Sequence, residues 1–173
     1  MTRRHPQNLR AYGLLRRADR LLIAAEYVGA VFCWKFPGGG VHDGESAEAG
    51  LAREYAEETG LAVAIRRLLH APGTLVSPWT GRVYTPVFFE VAAEGEPVVP
   101  PNEQLAMSFR TPAEALASGL MAEPERVAMG LLFGAAAESN PATMKVSGDC
   151  PSAAATAPPP QTLSPAKTAA PMR

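Results

Sequence analysis

Up to about residue 137 the chain alternates short apolar runs with two stretches of helical period. Arg10–Leu15 and Arg20–Glu26 read as strands joined by a turn at Ala18-Asp19. Val31–Phe36 is a third apolar run. It ends at Pro37-Gly38-Gly39-Gly40, where the chain must turn tightly. Ser46–Thr59 is helical, with Ala47, Leu51, Ala52, Tyr55, Ala56 and Thr59 forming one apolar stripe. Ser46 is a natural N-cap, Glu48 sits in the favourable first turn, and Gly60 suits a left-handed C-terminal cap. Leu61–Leu69 and Val83–Val91 read as longer strands. Pro86 marks the second as an edge strand or one broken near its start. Thr111-Pro112-Ala113-Glu114 opens a short helix with proline at its first position. Pro124–Ala137 is a further amphipathic helix, with Val127, Leu131 and Leu132 expected inward. Strands and helices mixed in this order predict an α/β or α+β sandwich.

The pattern fails near residue 139. Ser139–Arg173 holds seven prolines, eight alanines and no aromatic residue, so it cannot bury enough apolar surface to offset its ordering entropy. The expected organisation is an N-terminal arm over 1–8, a folded domain over 9–138 and a Pro/Ala-rich disordered tail over 139–173. At 173 residues the chain supports one ordinary core, and no apolar run is long enough for a transmembrane helix. A net charge of −1 excludes a strongly basic nucleic-acid binder. The two cysteines, Cys33 and Cys150, lie far apart, which excludes a disulfide scaffold and favours a reducing, cytoplasmic setting. Arginines interrupt the amino end where a secretory signal needs an apolar run. An Arg-rich transit peptide is the competing idea, but Leu9–Ile23 already reads as part of the fold.

The chemistry concentrates between residues 39 and 61. Glu54, Glu57 and Glu58 stand at i, i+3 and i+4 on one face of the predicted helix, in its last turn and a half. Each carboxylate there opposes the helix dipole by about 0.3–1 kcal/mol. Like-charge neighbours add about 0.2–0.5 kcal/mol apiece. Only Arg53 is near enough in sequence to offset this. A divalent cation would reverse the sign of those terms, and a glycine-rich loop just upstream allows close backbone approach. The competing explanation for these acids alone is a solvated face.

The whole segment reads Gly39, five residues, Glu45, seven residues, then Arg53-Glu54-Tyr55-Ala56-Glu57-Glu58-Thr59-Gly60-Leu61. It resembles the box of the Nudix (MutT-like) hydrolase family, G-x5-E-x7-R-E-U-x-E-E-x-G-U with U a bulky aliphatic. Tyr55, aromatic at the first U, is the one departure, and it faces the core. Trp34-Lys35-Phe36-Pro37-Gly38-Gly39-Gly40 resembles the family's lead-in. The resemblance spans about residues 9–137. It implies a Nudix-type α/β/α sandwich with a mixed sheet, and Mg²⁺- or Mn²⁺-dependent hydrolysis of a nucleoside diphosphate linked to another moiety. Carried over, Glu54, Glu57 and Glu58 bind metal, joined by the Gly39 carbonyl. Glu54, oriented by Arg53, helps activate water, and Glu45 supports the loop. Glu103 is the candidate for one more carboxylate from a loop, against the plainer role of an exposed acid.

Other residues are less specific. Trp79 suits base stacking or packing, and Arg10, Arg16 and Arg17 suit phosphates or a strand surface. His42 reads as an exposed turn residue. His5 and His70 lack metal-like spacing with either cysteine, and Cys33 reads as a small core residue. The expected partner is a small nucleotide, with no membrane or stable nucleic-acid binding; a homodimer is left open. The alternative to an enzyme is a Nudix-fold nucleotide-binding or regulatory module without catalysis, which would have no need of a repulsive acidic helix end. An isomerase on the same fold is disfavoured by the short chain.

Overall fold

Strand β1 (Leu9–Arg17) organises the sheet, and the computed structural model describes residues 6–138. The expected tail over 139–173, with Cys150, lies outside the described residues, as does His5. Along one edge β1 pairs in parallel with β7 (Val83–Ala92), from Leu9 opposite Thr85 to Leu15 opposite Val91. Along the other it pairs antiparallel with β4 (Gly38–Gly40). Its end turns through Ala18, at φ 53°, into β2 (Arg20–Val28). Strands β3 (Val31–Lys35) and β8 (Leu105–Arg110) both pair antiparallel with β2. Strands β5 (Ala64–His70) and β6 (Leu75–Val76) pair antiparallel with β7. One parallel pair among antiparallel ones makes the sheet mixed.

The alternation of β1 supplies both halves of the core. Tyr12 and Leu14 pack with Leu21, Ile23, Phe36, Phe88, Met129 and Leu132, beneath α3 (Glu123–Glu138) and Ala115 of α2 (Pro112–Ala117). Ala11 and Leu15 pack with Leu22, Leu61, Phe89 and Val91, and with Leu51 and Tyr55 of α1 (Ala47–Thr59). Helices therefore cover both faces, as the expected α/β/α sandwich requires.

The helix boundaries follow local chemistry. The Ser46 side chain accepts from Ala49 N, and Gly60 closes α1 at φ 69°. Thr111 and Glu114 form a full capping box at α2. Ala56, expected in the apolar stripe of α1, is exposed; the inward residues are Gly50, Leu51, Tyr55, Glu58 and Thr59.

Four further expectations are corrected. Strand β7 is not an edge, because β1 flanks one side and β5 and β6 the other. Pro86 is tolerated because it falls between the last β6 pair, at Tyr84, and the first β5 pair, at Phe88. Val127 and Leu131 point outward, 38% and 45% exposed, and of the expected trio only Leu132 is buried. Glu125, Ala128 and Met129 take the inward positions, so the helix is rotated from the face its aliphatics suggest. The glycine run is more than a turn, since Gly38–Gly40 is itself a strand. The strand read at Leu61–Leu69 starts at Ala64, because Leu61 first packs into the α1-side core.

Tyr55, the aromatic departure from the aliphatic pattern, is fully buried, and its hydroxyl donates to Gly13 O at 2.7 Å. Tyr55→Phe removes that bond while keeping the ring. It is expected to lower the unfolding free energy by about 1–2 kcal/mol, read as a shifted urea midpoint with unchanged slope.

Candidate active site

Three consecutive glycines of β4 receive the last two turns of α1. Arg53 Nη2 donates to Gly40 O at 2.7 Å. The Glu54 carboxylate lies over Gly39, where an added Cβ would fall 2.4 Å from its Oε2. Gly38 N donates to Glu58 Oε2 at 2.9 Å. Gly38 is required a second time, since its φ of 134° would place a Cβ 2.2 Å from Ala11 O. A side chain at Gly39 would push Glu54 off the strand, and one at Gly38 would push β4 off β1.

Arg53 is the hub of the acidic cluster. Its Nε donates to Glu45 Oε1 at 2.8 Å, and its Nη1 to Glu54 Oε1 at 2.9 Å and Glu57 Oε2 at 3.4 Å. Glu45 also accepts from His42 N at 3.0 Å. The Arg53 hydrogen bond, helped by that backbone donor, holds the Glu45 carboxyl down at about 2. Glu45 and Glu54 keep Arg53 charged, with its pKa raised. Glu58 differs from the other two acids of the helix end. It is 8% exposed, and burial pushes its carboxyl up to about 7, against the pull of Lys35 and the Gly38 N–H. Lys35 Nζ stands 3.9 Å from Glu58 Oε1, 3.4 Å from Gly38 O, and in an ion pair with Glu26.

Glu54, Glu57 and Glu58 thus share one helix end without converging. Among the described residues no three acidic, histidine or cysteine side chains form a ready metal cluster. Arg53 ties Glu54 to Glu57, while Glu58 faces Lys35 on the buried side. The donors nonetheless fit a hard divalent cation: three carboxylates, and a bare backbone at Gly39 onto which Glu54 already closes.

A cleft of about 280 Å³ adjoins this cluster, lined by Asn8, Arg10, Tyr12, Lys35, Trp79, Arg82 and Tyr84 among others. Arg10 Nε donates to the Tyr12 hydroxyl at 2.9 Å, and Tyr12, the largest influence, raises the Arg10 pKa. Trp79 sits on a loop whose backbone the Ser77 hydroxyl ties down. Beyond Tyr84 lies a second cleft of about 400 Å³, lined by Leu75, Pro78, Ala122 and Arg126 among others. Tyr84 is a wall of both, and its buried hydroxyl has no partner among the described residues. Neither oxygen of the fully buried Glu125 has one, and burial pushes that carboxyl up to about 7.

Other expected site residues lie elsewhere. Glu103 is on the loop that leans on the end of α1 through Val98 N to Thr59 O, and its carboxylate accepts from Asn102. Arg17 is engaged by Glu96 and the Phe109 ring, and Arg16 by Ala18 O and the Phe133 ring. His42 is an exposed turn residue and Cys33 a core residue, as the sequence suggests. Lys35, Glu26, Tyr84 and Glu125 were not singled out. The one local signal was Lys35, a charge in phase with the inward Cys33.

The family model for the NUDIX domain matches residues 6–129. The chain belongs to the Nudix family. It is a Nudix pyrophosphohydrolase, a class whose members generally use divalent metal ions. No curated protein matches it in sequence. Among solved structures, the E. coli ORF135 protein is similar at TM-score 0.62 and 20% identity, over 78% of this chain and 94% of that one. A MutT protein from Methanosarcina mazei Go1 is similar at 0.61 and 19%, over 74% and 94%. An ADP-ribose pyrophosphatase from Streptococcus suis 89-1591 is similar at 0.55 and 21%, over 79% and 96%. These likenesses speak for the fold of this Nudix chain. No helix among its described residues is long and apolar enough to cross a membrane.

Buried Glu125 gives a pH-dependent expectation. A carboxyl raised from 4.5 to about 7 favours the folded state while protonated. That contribution is complete below pH 4.5 and lost as pH rises through 7. Glu125→Gln should therefore be more stable than wild type by about 2–3 kcal/mol at pH 8 and nearly equal at pH 5. Urea midpoints in EDTA at the two pH values check this.

Proposed function

We propose that this Nudix chain is a cytoplasmic enzyme that hydrolyses the pyrophosphate linkage of nucleoside triphosphates or their oxidised forms. ADP-ribose-like compounds are the second choice. The observation that carries the reading is the adjacency of two opposite surfaces: an acidic helix end, and a cleft with Arg10 and Arg82 beside Trp79. The cations suit phosphate oxygens, with arginine giving paired donors. The indole suits the face of a base. The loops 71–82 and 93–103 are short, which favours a compact substrate.

Glu54, Glu57 and Glu58, with the Gly39 carbonyl and Glu103 as further candidates, would hold Mg²⁺ or Mn²⁺. When bound, that ion neutralises phosphate charge and acidifies water. Arg53 fixes Glu54 in one orientation, so its carboxylate is the candidate to take a proton from the attacking water. Arg10 is preset by Tyr12 at the cleft wall, so phosphate meets an ordered donor rather than a free side chain. Water attack on one phosphorus gives a nucleoside monophosphate plus pyrophosphate from a triphosphate.

A panel of nucleoside triphosphates, oxidised triphosphates, nucleotide sugars and ADP-ribose, with phosphate and nucleotide detection, tests the reading. Release should be at background in EDTA and return with Mg²⁺ or Mn²⁺. No metal-dependent release from any member would reject it. Glu57→Gln should cut kcat at least about a hundredfold. Its side chain is half exposed and, among the described residues, meets only Arg53, at 3.4 Å, so the metal-free melting temperature should hold or rise.

A further inference from the structure

Lys35 is 4% exposed, yet its side chain lines the cleft that holds Arg10, Trp79 and Tyr84. Its ammonium carries three N–H donors and no acceptor. Glu26 of β2 takes one of them in an ion pair. The Gly38 carbonyl accepts only a long bond at 3.4 Å, and Glu58 Oε1, at 3.9 Å, is beyond hydrogen-bond reach. The Tyr12 ring closes a further side, with its centroid 5.8 Å away. Burial works against the charge, but Tyr12, Glu58 and Glu26 outweigh it and leave the Lys35 pKa raised. Among the described residues, then, the ammonium in the cleft wall is charged and has donor capacity to spare. Glu58 keeps capacity as well, since Oε2 accepts from Gly38 N and Oε1 is left for a metal ion.

We propose that Lys35 donates to the phosphate joined to the nucleoside, where the cleft meets the acidic helix end, and that Glu26 positions it there. The proposal rests on the nucleotide reading above, with Glu54, Glu57 and Glu58 all kept for metal. It follows from the order of groups along the site. Trp79 suits the base, and the helix end suits phosphates bridged by a cation. Lys35 lines the cleft and also stands beside Glu58, so it lies between the two. A nucleotide that spans both therefore passes the ammonium with the phosphate nearest its ribose. That phosphate stays with the nucleoside when the linkage is cut, and the remainder departs from the metal side. A lysine is a compact point charge rather than a planar fork, which suits one phosphate oxygen at close quarters. Its flexible stem would cost entropy to order on binding, and the ion pair with Glu26 orders it beforehand.

The test is titration calorimetry with Mg²⁺ present, on wild type, Lys35→Arg, Lys35→Met and Lys35→Met/Glu26→Gln. The probes are AMP, GMP, CMP and UMP, the four unphosphorylated nucleosides, and pyrophosphate. Lys35→Met should weaken the monophosphates at least about tenfold and leave nucleosides and pyrophosphate within about twofold of wild type. Lys35→Arg keeps a cation in place and should bind monophosphates more tightly than Lys35→Met. If Lys35→Met unfolds because Glu26 is left buried and unpaired, the double variant removes that charge and should show the same selective loss. Unchanged monophosphate binding in whichever variant folds would overturn the proposal. So would an equal loss for the nucleosides, which would put the ammonium on the base, or for pyrophosphate, which would put it on the departing phosphates. Wild-type turnover of the triphosphate panel is measured alongside. Neither binding nor metal-dependent release would reject the hydrolase, whereas release with monophosphate binding absent or indifferent to Lys35 would reject only the role of Lys35.

Discussion

The seating of α1 on the bare backbone of Gly38–Gly40 is the contact on which the site depends. Arg53, Glu54 and Glu58 meet three successive glycines, so a helix end and a strand approach closely enough to share hydrogen bonds. Leu51 and Tyr55 anchor the same helix in the core beneath the sheet. Position and chemistry are coupled here. The residues that dock the helix are the ones that carry the charge, and the strand can receive them because it has no side chains of its own.

That docking leaves an electrostatic debt. Three carboxylates crowd the negative end of a helix, each disfavoured by a few tenths to about 1 kcal/mol. Two cations answer, in different ways. Arg53 is a planar fork that spreads over Glu45, Glu54 and Glu57 from the partly exposed side. Lys35 is a point charge reaching Glu58 from the buried side, with Glu26 as its closer partner. The helix end is thus divided into an inner, committed acid and two outer ones.

Much of this was legible because it is local. The spacing of Glu45, Arg53, Glu54, Glu57 and Glu58, the Ser46 cap and the Gly60 stop all lie within sixteen residues and obey helix geometry. What escaped depends on contacts between distant segments. Three glycines carry no side-chain pattern, so β4 could not be distinguished from a turn until β1 was placed beside it. Pro86 carried a sound local rule, but a change of partner along β7 removed its force. On α3, Val127 and Leu131 suggested one face, and the burial of Glu125 chose another. Lys35 stood in an apolar strand, yet its meaning lay in Glu26 and Glu58, nine residues before it and twenty-three after.

Tyr84 has a different kind of significance. It projects from a strand inside the sheet and lines two cavities with one side chain. In many folds the capacity of a site changes through insertions in loops, which demand new backbone. Here a smaller residue at one position would widen both compartments on the side they share, with no change in chain length. Ligand size in this architecture is therefore accessible to a one-codon step. The strand pairing would stay intact, because strand hydrogen bonds belong to the backbone and not to the ring.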